Sequence, residues 1–189
     1  MSCGDYKNNR ALADAFNGPV MDALKFSFNT NDVQISSKFQ DTKQAADFIV
    51  GKSPPAKVAA RVRNYEYWRN YKWDITVRSR SRFNKKTELD KILEGHGDYI
   101  FYGFLNPTGD VLHYWRLCDL NVFRWNIQHN DYASERPLFA KQNSDGTKLA
   151  TYDVRKMKGD FVIESGGVYK LNQIPFLPGM EEFNYTINL

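Results

Sequence analysis

A chain of 189 residues fits a single domain, and with 42% hydrophobic and 15% aromatic residues it carries enough bulky apolar material to fill a core, which excludes disorder for most of its length. Two cysteines far apart in sequence, Cys3 and Cys118, provide no disulfide framework, and no stretch approaches the roughly 20 apolar residues that a membrane-spanning helix needs. The net charge of +4 is modest but unevenly spread: between Arg61 and Lys91 ten basic residues accompany four acids, a local charge of +6 that leaves −2 for the rest.

Residues 1–22 read as a short helix behind a ragged terminus, with Ala11, Leu12, Ala15 and Phe16 on its apolar face and a stop near Gly18-Pro19. The terminus lacks the charged-then-apolar layout of a secretion signal, so cytoplasmic residence is expected. Leu24–Phe28 and Val33–Ser36 alternate around the turn residues Asn29–Asp32, which predicts a hairpin. An apolar run, Ala45–Val50, leads through the loop Gly51–Pro55 into a strand over Val58–Arg63. There, strand alternation sets Val58, Ala60 and Val62 on one face and Arg61 and Arg63 on the other.

The segment Asp74–Arg80 repeats this design, with Ile75 and Val77 opposite Thr76, Arg78 and Arg80, so two adjacent strands could lay their arginines on a common surface. Thr87–Leu93 reads as a helix with Thr87 as N-cap, acids in the first turn and Gly95 as the stop. Tyr99–Leu105 is a nearly continuous apolar run short enough for a buried central strand. After the turn Asn106–Gly109, strands are predicted over Val111–Leu117, Leu149–Val154 and Phe161–Glu164. A short helix opens at Asp119–Phe123, and Ser144-Asp145-Gly146 marks a turn.

Asp41–Val50, Ala60–Arg63, Thr76–Ser79, Thr87–Ile92 and Gly97–Phe104 together resemble small bacterial and phage proteins associated with the restriction-endonuclease-like, or PD-(D/E)XK, nuclease superfamily. The resemblance spans roughly residues 41–124, with a weaker echo at Asp145-Gly146-Thr147. It implies an α/β (α+β) fold with a mixed central β-sheet flanked by helices. The chain then divides into an N-terminal segment 1–22, a nuclease-like core 23–124 and a strand-containing extension 125–189 within one domain.

The resemblance further implies an Asp on one strand and an acid-x-Lys triplet on the next, which hold Mg²⁺ and activate water against a phosphodiester. Asp47 matches the first position. The triplet falls on Ala59-Ala60-Arg61, with alanine in place of the second metal-binding acid and arginine in place of lysine. One carboxylate makes a poor site for a hard cation, so either another acid has moved in or the site is dead. Glu88 is the first candidate for the migrated acid, with Lys91 three residues on along the same helix face; the alternative is an ordinary surface pair. Asp41 and Asp74 are further candidates, each also explicable as a cap or loop residue.

The cationic segment predicts nucleic-acid contacts through Arg61, Arg63, Arg78, Arg80 and Arg82, with DNA placed ahead of RNA. Tyr65, Tyr67, Trp68, Tyr71, Trp73 and Phe83 lie among these charges and could stack on bases or fill the core. His96, His113 and His129 show no metal-ligand spacing, and Gly95-His96-Gly97 follows a helix rather than opening one as a phosphate loop would. The leading expectation is a nucleic-acid-binding protein that cleaves DNA with Mg²⁺ at Asp47 and Glu88. The alternative is a catalytically inactive nucleic-acid- or protein-binding module, such as a phage accessory factor acting on host machinery; a third reading is an assembly protein whose aromatics form an oligomer interface.

Overall fold

Phe16, Val20 and Leu24 recur every four residues and are all buried, which is the stripe of a helix seated on a core. The computed structural model, which describes residues 14–37, 46–51, 53–80, 85–129, 141–142 and 146–167, shows helix α1 at Asn17–Ser27. Pro19 falls in its first turn, where a missing N–H breaks no helical bond, so Gly18-Pro19 opens the helix instead of stopping it. The strand expected over Leu24–Phe28 is therefore corrected to helix. Strand β1 (Val33–Ile35) pairs instead with β2 (Phe48–Val50).

Six strands form a mixed central sheet in the order β1-β2-β3-β5-β6-β9, with β3 at Ala56–Arg63, β5 at Tyr99–Leu105, β6 at Leu112–Asp119 and β9 at Val162–Gly166. All its pairings are antiparallel except β3 with β5, which run parallel with Arg61 opposite Tyr102 and Arg63 opposite Phe104. Parallel neighbours need a crossover. Here it contains helix α2 (Tyr65–Tyr71), strand β4 (Asp74–Arg80) and helix α3 (Glu88–Leu93). Strand β4 joins a second, antiparallel sheet of order β4-β8-β7, with β7 at Lys141–Gln142 and β8 at Lys148–Asp153. Helix α4 (Leu120–His129) continues directly from β6, where a short helix was expected to open at Asp119–Phe123, and runs six residues beyond Phe123.

Each face of the central sheet has its own core. Phe16, which precedes α1, and Val20 and Leu24 of α1 cover Phe48, Val58, Phe101 and Leu117 on one side. On the other, Ala59, Ile100, Tyr102, Phe104 and Cys118 pack with Ile75, Val77, Ala150 and Tyr152 of the second sheet, Ile92 of α3 and Phe123 of α4. Burial on both faces explains why β5 is apolar throughout instead of alternating.

Two local signals act as expected. Thr87 caps α3 by accepting from the Asp90 N–H, while the Asp90 carboxylate accepts from the Thr87 N–H, and Gly95 at φ +91° ends the helix in a conformation that favours glycine. Trp68 packs edge-on against Phe104, and Trp73 also lies against the core, so both serve the interior. Asp41, Arg82, Phe83, Ser144, Asp145, Cys3, Ala11 and Leu12 lie outside the described residues. Among the described residues, no helix is long and apolar enough to cross a membrane.

Candidate functional site

Strand β3 sorts its residues as alternation demands: Val58, Ala60 and Val62 pack toward α1, and Ala59 packs toward the second sheet, on the face shared by Arg61 and Arg63. The arginines of β3 and β4 do not lie on neighbouring strands, however, because β4 belongs to the other sheet. That expectation fails because alternation fixes the face of a strand but not its partner. Arg61 and Arg63 look into the junction between the sheets, where both are half-buried, whereas Arg78 and Arg80 are exposed.

Asp47 stands just before β2 and extends its ladder. Its N–H donates to Val58 O and its carbonyl accepts from Ser36 N–H, both at 2.9 Å. Two residues along β3, the Ala60 N–H donates to Asp47 Oδ2 at 2.6 Å. The same oxygen lies 3.5 Å from Arg61 Nη1. On the opposite side Arg61 Nη2 donates to Glu88 Oε1 at 2.5 Å, and Glu88 Oε2 accepts from the Arg78 N–H at 3.3 Å. Glu88 thus reaches from the start of α3 to both sheets. Its carboxylate pushes the Arg61 pKa up, burial pulls the other way, and Asp47 adds to the rise.

The structure therefore brings together Asp47, Glu88 and Arg61, the residue at the lysine position of the triplet. Lys91 lies three residues beyond Glu88 on α3 and is half-buried. Asp74, by contrast, opens β4 on the side of the buried Arg116, and burial raises its pKa, with Asp153 adding to the rise and Arg116 opposing it. The Asp47–Glu88 pair does not fit a divalent cation as arranged. Oδ2 and Oε1 both contact the guanidinium and Oε2 is taken by a backbone donor, while a hard cation needs several free oxygens. Among the described residues, no group of three or more His, Cys, Asp or Glu side chains could hold a metal.

Exposed Arg78 and Arg80 and half-buried Lys148 lie apart from this cluster, Arg78 on one face of the β4–β8 ladder and the Arg80/Lys148 pair on the other. The register sets Arg80 directly opposite Lys148 and Arg78 opposite Leu149, with a bulge between Arg78 and Arg80. Like charges directly across a ladder are destabilising. None of Arg78, Arg80 and Lys148 is paired with a carboxylate among the described residues, whereas nearby Lys86 bonds Glu94 at 2.8 Å.

Arg116 went unrecognised in the sequence. Although on β6 amid aromatics, it is only 1% exposed, donates to Lys72 O at 2.7 Å and Asp74 O at 2.8 Å, and lies over the Tyr102 and Phe104 rings. It pins the α2–β4 turn, and hence the start of the second sheet, to the first. No protein family, curated protein or solved structure matches the chain.

Proposed function

We propose that this chain is a nucleic-acid-binding domain with a restriction-endonuclease-like layout, in which Arg61 supplies the counter-charge to Asp47 and Glu88 that a metal supplies in the nucleases, so that it binds a strand without cutting it. The observation that carries this reading is the Arg80/Lys148 pair. Two cations directly opposite each other, with exposed Arg78 two residues earlier on the same strand, carry a repulsive cost that a polyanion bound at this strand end relieves. Arginine's planar fork suits phosphate oxygens. DNA is placed ahead of RNA, and the binding surface is the end of the β4–β8 ladder where Arg80 faces Lys148.

Fluorescence anisotropy with a labelled oligonucleotide tests it. If the three cations each neutralise a phosphate, log Kd against log salt has a slope of magnitude about 3, and replacing Arg80 and Lys148 by Ala lowers that magnitude by about 2. Absence of binding at low salt refutes the reading. The competing reading is a Mg²⁺-dependent phosphodiesterase at Asp47 and Glu88, which requires Arg61 to leave the carboxylate oxygens it now holds. Metal-dependent cleavage of DNA that is abolished in Asp47→Asn would establish that reading in place of the first.

A further inference from the structure

Arg63 is the last residue of β3, at the C-terminal end of the parallel β3–β5 pair. In α/β proteins such ends gather ligands where strand direction changes, because side chains and loops leave the sheet there. The Arg63 guanidinium is fixed on several sides. Nε donates to Tyr102 Oη at 3.1 Å and Nη2 to Thr76 Oγ1 at 2.9 Å, and these two hydroxyls are themselves 2.8 Å apart. The rings of Tyr67 and Tyr102 lie 5.3 and 5.7 Å from the guanidinium carbon.

All of these partners are neutral. Among the described residues no carboxylate pairs with Arg63, whereas Arg61, two residues earlier on the same face, is paired with two. A half-buried cation held only by hydroxyls and rings is short of counter-charge, and Nη1 takes part in neither hydrogen bond. With its rotamer already held, the guanidinium can engage two oxygens of a phosphate at little cost in side-chain entropy.

We infer that Arg63, clamped by Thr76, Tyr102 and Tyr67, is the receptor for one phosphodiester of the bound strand, distinct from the diffuse cations of Arg78, Arg80 and Lys148. This rests on the nucleic-acid reading and adds to it a single oriented contact. Arg63→Lys keeps the charge and removes the fork. Tyr67→Leu removes one clamp and leaves both hydroxyl bonds in place.

The test is an anisotropy titration of the full chain with a single-stranded oligonucleotide over a range of salt, alongside thermal melts with inorganic phosphate against chloride at equal ionic strength. Arg63→Lys is expected to weaken oligonucleotide binding about tenfold with the salt slope unchanged, and Tyr67→Leu about threefold. Phosphate should raise the melting temperature of the wild-type chain more than that of Arg63→Lys. If Arg63→Lys fails to fold, the Tyr67→Leu titration decides: a loss supports the inference and wild-type affinity overturns it. Wild-type affinity in a folded Arg63→Lys overturns the inference while the nucleic-acid reading stands. If the wild-type chain binds no oligonucleotide, that reading falls. A phosphate shift seen under those conditions assigns the receptor to free phosphate, and the inference as stated falls with it.

Discussion

Replacing Arg61 by Met keeps most of the buried stem and deletes only the guanidinium that Asp47 and Glu88 share. The two contacts are unequal. Glu88 is 14% exposed and bonds Arg61 directly, whereas Asp47 is 35% exposed and stands 3.5 Å away, beyond good hydrogen-bond range. A charge-assisted bond of the first kind contributes about 2 kcal/mol and a half-exposed ion pair of the second kind under about 1 kcal/mol. Two carboxylates left without their counter-charge add repulsion, so the loss is expected at about 2–3 kcal/mol. For a domain of this size that lowers the melting temperature by about 5–10 °C, measured by circular dichroism. Combining Arg61→Met with Glu88→Gln should recover about 1 kcal/mol relative to the sum of the single changes, since the second removes the charge that the first stranded. In Arg61→Met, millimolar Mg²⁺ should stabilise the fold, and in the wild type it should not. An Arg61→Met melt within about 1 °C of wild type, or strict additivity in the double variant, would refute the account of Arg61 as the shared counter-charge.

Gly103 lies in the middle of β5, where an added Cβ would meet Leu112 Cδ2 at 3.0 Å and the Phe101 ring at 3.1 Å. Since Phe101 is fully buried and has little room to yield, Gly103→Ala should cost about 1–3 kcal/mol in urea unfolding, and a neutral result would show that this face is loosely packed. Burial pushes the Cys118 thiol up to about 12, so peptide mapping after thiol labelling at mild pH should find Cys118 modified only once the chain unfolds. The Asp90 carboxylate has a depressed pKa, owing first to the Thr87 N–H and then to its hydroxyl; a depressed folded pKa stabilises above the unfolded value and the gain is lost as pH falls through the folded one. Asp90→Ala should therefore melt below wild type above about pH 4, with the gap closing on acidification, and a gap undiminished at about pH 2 would assign the effect to something other than this charge.

Strand faces and caps were legible in the sequence because they depend on residues near one another. The alternation in β3, the Thr87 cap, the Gly95 stop and the apolar run of β5 are each written within a few positions. Residues 24–28 misled because Leu24-Lys25-Phe26-Ser27-Phe28 alternates like a strand, although Leu24 and Phe28 continue the four-residue stripe from Phe16 and Val20 while Phe26 is 65% exposed. Glu88 and Arg61 were both singled out, but their meeting depends on how α3 docks against β3, which no local pattern encodes. The same holds for Thr76 and Tyr102 around Arg63. Arg116 was hidden for the opposite reason: an arginine in a strand reads as an outward-facing residue, and it is the carbonyls of Lys72 and Asp74, far away in the chain, that satisfy its buried donors.

The detour between β3 and β5 also matters while the chain is being made. Strand β4 leaves the ribosome early, but Arg78 pairs with Leu149, on a strand synthesised only after β5, β6 and α4. Until then β4 is an orphan strand with both edges open, the kind of segment that recruits a second chain into an aggregate. Ile75 and Val77 alone would invite this, and Arg78 and Arg80 charge the end of the same strand against self-pairing. The two arginines that stand exposed in the finished fold thus charge the open end of β4 while its second sheet awaits completion.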